Sequence, residues 1–141
     1  MDTEEIKKLI DEKGYLLADG ATGTNLFDLG LESGYPPELW NEEKPDLISA
    51  NHKSFIEAGS DIILTNSFGA NKYRLALHKC EDRVKEINFA AAKIARETAN
   101  SSERTILVAG SIGPTGEIFQ PIGPLSIEDA IEAFTDQALA L

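Results

Sequence analysis

At 141 residues, with 13 basic and 24 acidic side chains and a net charge of −11, the chain has the size of one domain. Its hydrophobic fraction of 42% and charged fraction of 26% exclude disorder, collagen-like repeats and a coiled coil as overall descriptions. The acidic balance argues against nucleic acid or an anionic membrane as partner, because both are bound by charge neutralisation.

Ile6, Leu9 and Ile10 share one face of a short N-terminal helix that Gly14 ends. Tyr15-Leu16-Leu17-Ala18 is then too short for a helix and reads as a buried strand landing on Asp19-Gly20. Residues Ala21 to Asn41 read as loop-rich, with Gly23, Gly30, Gly34 and the Pro36-Pro37 pair. Pro45 suits a first helical turn, Ile48, His52, Phe55 and Ile56 line one face, and Gly59 stops the helix.

Asp61 to Asn66 is a second buried strand, followed by a polar turn from Ser67 to Asn71, with Asn71 suited to a helix N-cap. Val84, Ile87, Ala91, Ile94 and Thr98 give a helix over Glu81–Ala99. Thr105 to Ala109 is a third strand ending at Gly110-Ser111. Ser126 with Asp129 forms a capping box, and Ile127, Ala130, Ile131, Phe134, Ala138 and Leu141 keep helical period to the last residue.

Three continuously apolar strands alternating with helices predict a parallel α/β sheet with its site in the loops after the strands. Three such units cannot close a barrel, and an open three-stranded sheet would leave both edges bare. The chain is therefore expected to be the front part of something larger. No apolar run approaches the roughly 18 residues of a membrane span, and the N-terminus lacks the apolar core of a signal peptide. The single Cys80 excludes an internal disulfide and a multi-cysteine metal site. The expected location is the cytoplasm, with no nucleic acid and no membrane as partner.

Chemistry is expected in three loops. In Asp19-Gly20-Ala21-Thr22-Gly23-Thr24-Asn25 the glycines let backbone amides cradle an anion while Asp19 grips an ammonium; the alternative is a tight turn with Asp19 satisfying local amides. Thr65-Asn66-Ser67-Phe68-Gly69-Ala70-Asn71, with four neutral hydrogen-bonding side chains, suits a polar zwitterion, or simply makes an Asx turn and a helix N-cap at Asn71. Gly110-Ser111-Ile112-Gly113-Pro114-Thr115-Gly116 is either a rigid wall of the same pocket or a connector. His52, on an apolar face, reads as a hydrogen-bonded core histidine; Trp40 as packing under the first loop; His78 and Cys80 do not make a zinc site.

At these same loops the chain resembles the homocysteine S-methyltransferase family, which includes betaine–homocysteine methyltransferase and the homocysteine module of cobalamin-dependent methionine synthase. The matching stretches are Leu16-Leu17-Ala18-Asp19-Gly20-Ala21-Thr22-Gly23-Thr24, Ala58-Gly59-Ser60-Asp61-Ile62-Ile63-Leu64-Thr65-Asn66-Ser67-Phe68 and Val108-Ala109-Gly110-Ser111-Ile112-Gly113-Pro114-Thr115-Gly116. The resemblance implies a (β/α)8 TIM barrel, here its first three βα units with an N-terminal helix, so that residues 1–141 are the N-terminal portion of a homocysteine-binding domain. It implies methyl transfer to the sulfur of homocysteine to give methionine, dependent on zinc, whose binding deprotonates the thiol.

By position, Asp19, Gly20 and Ala21 would hold the amino and carboxylate groups, Asn66 and Ser67 would line the pocket, and Gly110 and Ser111 would form the neighbouring wall. The family's zinc is held by a cysteine after a later strand and an adjacent cysteine pair near the barrel's end; none of these is in this chain, which is expected to be inactive alone. The betaine enzymes carry an aromatic residue where Gly69 stands here, leaving the donor open between a betaine-like onium compound and methylcobalamin. Two other functions fit the residues: a stand-alone, non-catalytic α/β binding module, and a different TIM-barrel enzyme acting on a phosphate-bearing substrate.

Overall fold

A computed structural model describes residues 3–141. In chain order the elements are α1 (Thr3–Lys13), α2 (Thr22–Asp28), a 3-10 turn (Pro37–Leu39), α3 (Trp40–Glu43), α4 (Pro45–Glu57), β1 (Ile62–Leu64), α5 (Lys72–Ala76), a second 3-10 turn (Glu81–Arg83), α6 (Val84–Asn100), β2 (Leu107–Ala109) and α7 (Ile127–Ala140). β1 and β2 are parallel, with Ile62, Ile63 and Leu64 opposite Leu107, Val108 and Ala109. Ala18 bridges Ile62 in parallel on the other edge of β1. The three strand segments thus lie side by side in chain order, and all three end on the same side of the sheet.

Local chemistry sets most boundaries. Pro45 occupies the first turn of α4, where its missing N–H has no intrahelical partner to lose. Gly59 then takes a φ of +107°, which L side chains rarely adopt, and turns the chain into β1. The Asn71 side chain accepts the Arg74 N–H and caps α5. Ser126 accepts the Asp129 N–H at 3.0 Å, capping α7, and donates its hydroxyl to the Asp129 carboxylate at 2.6 Å, a bond to the side chain in place of the backbone one of the expected capping box.

One core cluster lies between sheet and helices: Ile56 of α4, Ile63 of β1, Ala95 and Ala99 of α6, and Ile106. A second, Leu26, Leu31, Trp40 and Ile48, packs the segment before α4 onto its outer side. Trp40 is buried there, as its sequence context suggests.

Several expectations are corrected. Tyr15–Ala18 forms one bridge rather than a buried strand, and Tyr15 and Leu17 are 62% and 48% exposed. It pairs with β1 alone, so most of an apolar run that would be covered between two strands is open: Tyr15, Leu17 and Ala18 are exposed and Leu16 is half-buried. Residues 21–41 are not simply loop: α2, the 3-10 turn and α3 occupy much of it, each too short to show helical periodicity. α7 is rotated from its expected setting. Ala130, Ala133 and Gln137 face inward, while Ile127 and Ile131 are 66% and 61% exposed. Small residues let α7 pack on α6, and periodicity alone cannot say which stripe a neighbour covers. No described helix is long and apolar enough to cross a membrane.

Candidate functional site

The loops after the three strand segments enclose a cavity of about 510 Å³. Asp19, Gly20, Asn66, Ser67 and Ser111 line it together with Thr22, Gly23, Pro37, Glu38, Thr65 and Phe68. Of the seven residues picked out in the sequence, five therefore meet in one hollow. Ala21 and Gly110 are not part of its lining; a side chain at Gly110 would meet Leu141 at 3.0 Å.

Asp19 is placed by the first strand segment. Its N–H donates to the Ile62 carbonyl at 2.9 Å, and its Oδ2 accepts the Leu64 N–H at 3.0 Å. Burial raises its pKa above the usual carboxylate value, outweighing the stabilising N–H groups of Leu64 and of Asp19 itself. A bare charge is thus disfavoured there, and a cationic group beside it would restore ionisation.

The second loop is held almost wholly by buried polar bonds. The Ser67 hydroxyl donates to the Ser111 carbonyl at 2.8 Å and lies 2.6 Å from Thr65 Oγ1, which also accepts the Ser111 N–H at 2.9 Å. The Asn66 amide donates to the Pro37 carbonyl at 2.8 Å and to Asn41 Oδ1 at 3.1 Å, and the Asn66 carbonyl accepts from Asn41 Nδ2 at 2.8 Å. The Ser67 hydroxyl and the Asn66 amide group thus shape the pocket by tying loops together. The second and third loops also meet through the Gly113 N–H, which donates to the Phe68 carbonyl at 2.9 Å. A Cβ at Gly113 would run into that carbonyl, so the close approach requires glycine.

Glu38 escapes sequence reasoning. It sits in the 3-10 turn, buried, and its Oε1 accepts the Gly69 N–H at 2.6 Å. A side chain at Gly69 would meet Glu38 Oε1 at 2.7 Å, so the carboxylate occupies the space next to that glycine. The only signal was Pro37 at a helical first position, which marks a turn but not the burial of the acid beside it. The lining holds two carboxylates, Asp19 and Glu38, and no Lys, Arg or His. This electrostatic bias favours a ligand with a positive group, while the Gly20–Gly23 backbone is open to an anionic one.

The same residues do not fit zinc. Zinc takes three or four protein ligands from Cys, His, Asp and Glu, whereas the pocket offers two carboxylates and neither Cys nor His. Among the described residues no three His, Cys, Asp or Glu side chains converge on a metal position. Cys80 lies in the turn after α5, with its thiol 3.3 Å from the His78 carbonyl. His52 is buried in α4 as expected, but neither ring nitrogen has a hydrogen-bond partner among the described residues, so the expected hydrogen bond is absent.

The model of the family described as homocysteine S-methyltransferase matches residues 16–141. Methionine synthase of Mycobacterium tuberculosis is 34% identical over 137 residues, covering 89% of this chain and 11% of that protein. Methionine synthase of Mycobacterium leprae is 30% identical over 151 residues, covering 99% of this chain and 12% of that protein. The metallated form of the homocysteine methyltransferase MmuM from Escherichia coli superposes with a TM-score of 0.78 at 27% identity, covering 96% of this chain and 52% of the other. The chain therefore spans about half of that solved structure and a much smaller share of the two synthases. Matched over nearly its whole length, and at the loops that form the pocket, the chain belongs to the homocysteine S-methyltransferase family.

Proposed function

We propose that residues 1–141 form the N-terminal portion of a homocysteine-binding domain whose full-length protein methylates the homocysteine sulfur to give methionine. The observation that carries this reading is the convergence of three strand-end loops on one cavity that holds Asp19 and no basic side chain. Homocysteine is a zwitterion with a thiol. Its ammonium meets the Asp19 carboxylate, and its carboxylate meets backbone N–H groups of the Gly20–Ala21 turn. Asn66, Ser67 and Ser111 fix the walls on either side; Gly110, expected there from the resemblance, stands outside the lining.

In the transfer a sulfur–methyl bond forms as the donor–methyl bond breaks, and the thiol proton is lost. No residue of the pocket is assigned to that ionisation. The zinc expected from the family resemblance is held by parts of the protein outside these residues, and this chain alone is inactive. The donor is a separate molecule, a betaine-like onium compound or methylcobalamin.

Asp19→Asn in the full-length protein is expected to raise KM for homocysteine roughly 10- to 100-fold, the loss of one charge-assisted contact. KM for the donor is expected to stay within about twofold, within the uncertainty of mutational additivity. Steady-state methionine formation with each substrate varied in turn measures both. An unchanged homocysteine KM would make Asp19 a turn former and remove the reading.

A further inference from the structure

We infer that Gln137 and Asn88 are positioning residues of the strand-end site. This buried amide pair reaches from α7 and α6 to the backbone of the Ser67–Ala70 turn and sets its shape from behind. The inference rests on the reading of the pocket as a ligand site.

Both side chains are fully buried. Gln137 Nε2 donates to the Ser67 carbonyl at 2.8 Å and to Asn88 Oδ1 at 3.2 Å. Asn88 Nδ2 donates to the Ala70 carbonyl at 2.8 Å and to the Val84 carbonyl, one turn back in α6, at 2.7 Å. The turn lies beyond the end of β1, so its carbonyls have no strand ladder to join, and buried carbonyls need donors. The Ser67 carbonyl takes the Ala70 N–H at 3.0 Å within the turn, and the two amides add donors to Ser67 and Ala70 from the helix layer. On the pocket side, the Ser67 hydroxyl and Thr65 Oγ1 bind the Ser111 backbone. Ser67 is thus gripped on opposite sides, and moving its carbonyl would move the hydroxyl that joins the second and third loops.

The pair is poorly explained as mere packing. Gln137 Oε1 is buried with no partner among the described residues, a standing penalty that an apolar side chain of similar size would avoid. What Gln137 provides that an apolar residue cannot is a donor aimed at Ser67.

The test compares Gln137→Met with Ile106→Val, a control in the core cluster beneath the sheet. Amide hydrogen exchange on the full-length protein is read at Ser67, which donates to Thr65, at Gly69, which donates to Glu38, and at Ala70, which donates to Ser67. Protection at these amides is expected to fall at least tenfold in Gln137→Met and to persist in the control. Homocysteine KM is expected to rise on the order of tenfold in Gln137→Met and not in the control, since a site misplaced by about 1 Å through a distant substitution can lose up to roughly a hundredfold. Unchanged protection overturns the inference, and so does lost protection with unchanged homocysteine KM. Lost protection in a protein whose wild type does not use homocysteine supports the positioning role and overturns the substrate reading instead.

Discussion

Between pH 6.5 and about 4, His52 alone is expected to remove about 3 kcal/mol of folding stability, and His52→Leu is expected to abolish that loss. Burial is the cause. The ring lies fully inside, on the face of α4 that packs on the core, and burial lowers its pKa from 6.5 to about 4. Below pH 6.5 the unfolded chain binds a proton on this side chain that the folded chain refuses until about pH 4. Stability therefore falls as pH drops through that window and levels off below it, at about 1.4 kcal/mol for each unit.

Leucine has no nitrogen to charge and none to leave without a partner, so the substitution is expected to keep stability near pH 7 within about 1.5 kcal/mol. Urea denaturation of wild type and His52→Leu at pH 7, 6, 5 and 4 measures the difference, which cancels the carboxylates common to both. Parallel pH curves would show that the folded ring reaches water or a partner.

Asp61→Ala is expected to lower stability by about 2–3 kcal/mol while leaving homocysteine KM unchanged. Asp61 sits at the end of the sheet opposite the pocket. Its carboxylate accepts Lys13 Nζ at 2.7 and 2.6 Å, the Leu17 N–H at 2.9 Å and Arg104 Nη1 at 3.2 Å. It thereby ties α1, the first strand segment and the approach to β2 to the start of β1. Arg104 extends the tie through the Ile56 and Ser60 carbonyls at 2.7 and 3.1 Å.

The Lys13 and Arg104 side chains are 39% and 44% exposed, so water screens their attraction, and most of the loss comes from the abandoned Leu17 N–H and the broken tie. Burial pushes the Asp61 carboxyl up, but the Leu17 N–H, Lys13 and Arg104 outweigh it and hold the pKa below its usual value. This support is present above the ordinary carboxylate range and fades only as pH falls through the lowered folded value. Chemical denaturation with parallel kinetics separates the two halves of the expectation; a shifted homocysteine KM with unchanged stability would reverse the assignment.

Much of this architecture is legible in the sequence because single residues punctuate it. Pro45 and Gly59 frame α4, Ser126 and Asp129 start α7, and the apolar run after Asp61 has no other reading than a strand. The site loops follow from the strand ends. What stays hidden depends on neighbours distant in the chain. Leu26 is one buried side chain in a seven-residue helix, too little for a period to emerge. Glu38 looks like an ordinary surface acid until the Gly69 N–H closes on it, and Gln137 like a polar break in an apolar stripe until Ser67 lies opposite. The outward turn of Ile127 and Ile131 is hidden for the same reason: the spacing is helical whichever side is covered.

A crystal structure of the full-length protein soaked with L-homocysteine puts the shared hollow to its most direct test. The amino nitrogen is expected within hydrogen-bond reach of a carboxylate oxygen of Asp19, with the ligand lying between Gly20, Ser67 and Ser111. Density for the amino acid at any other place, with the cavity at Asp19 left to solvent, would contradict the account.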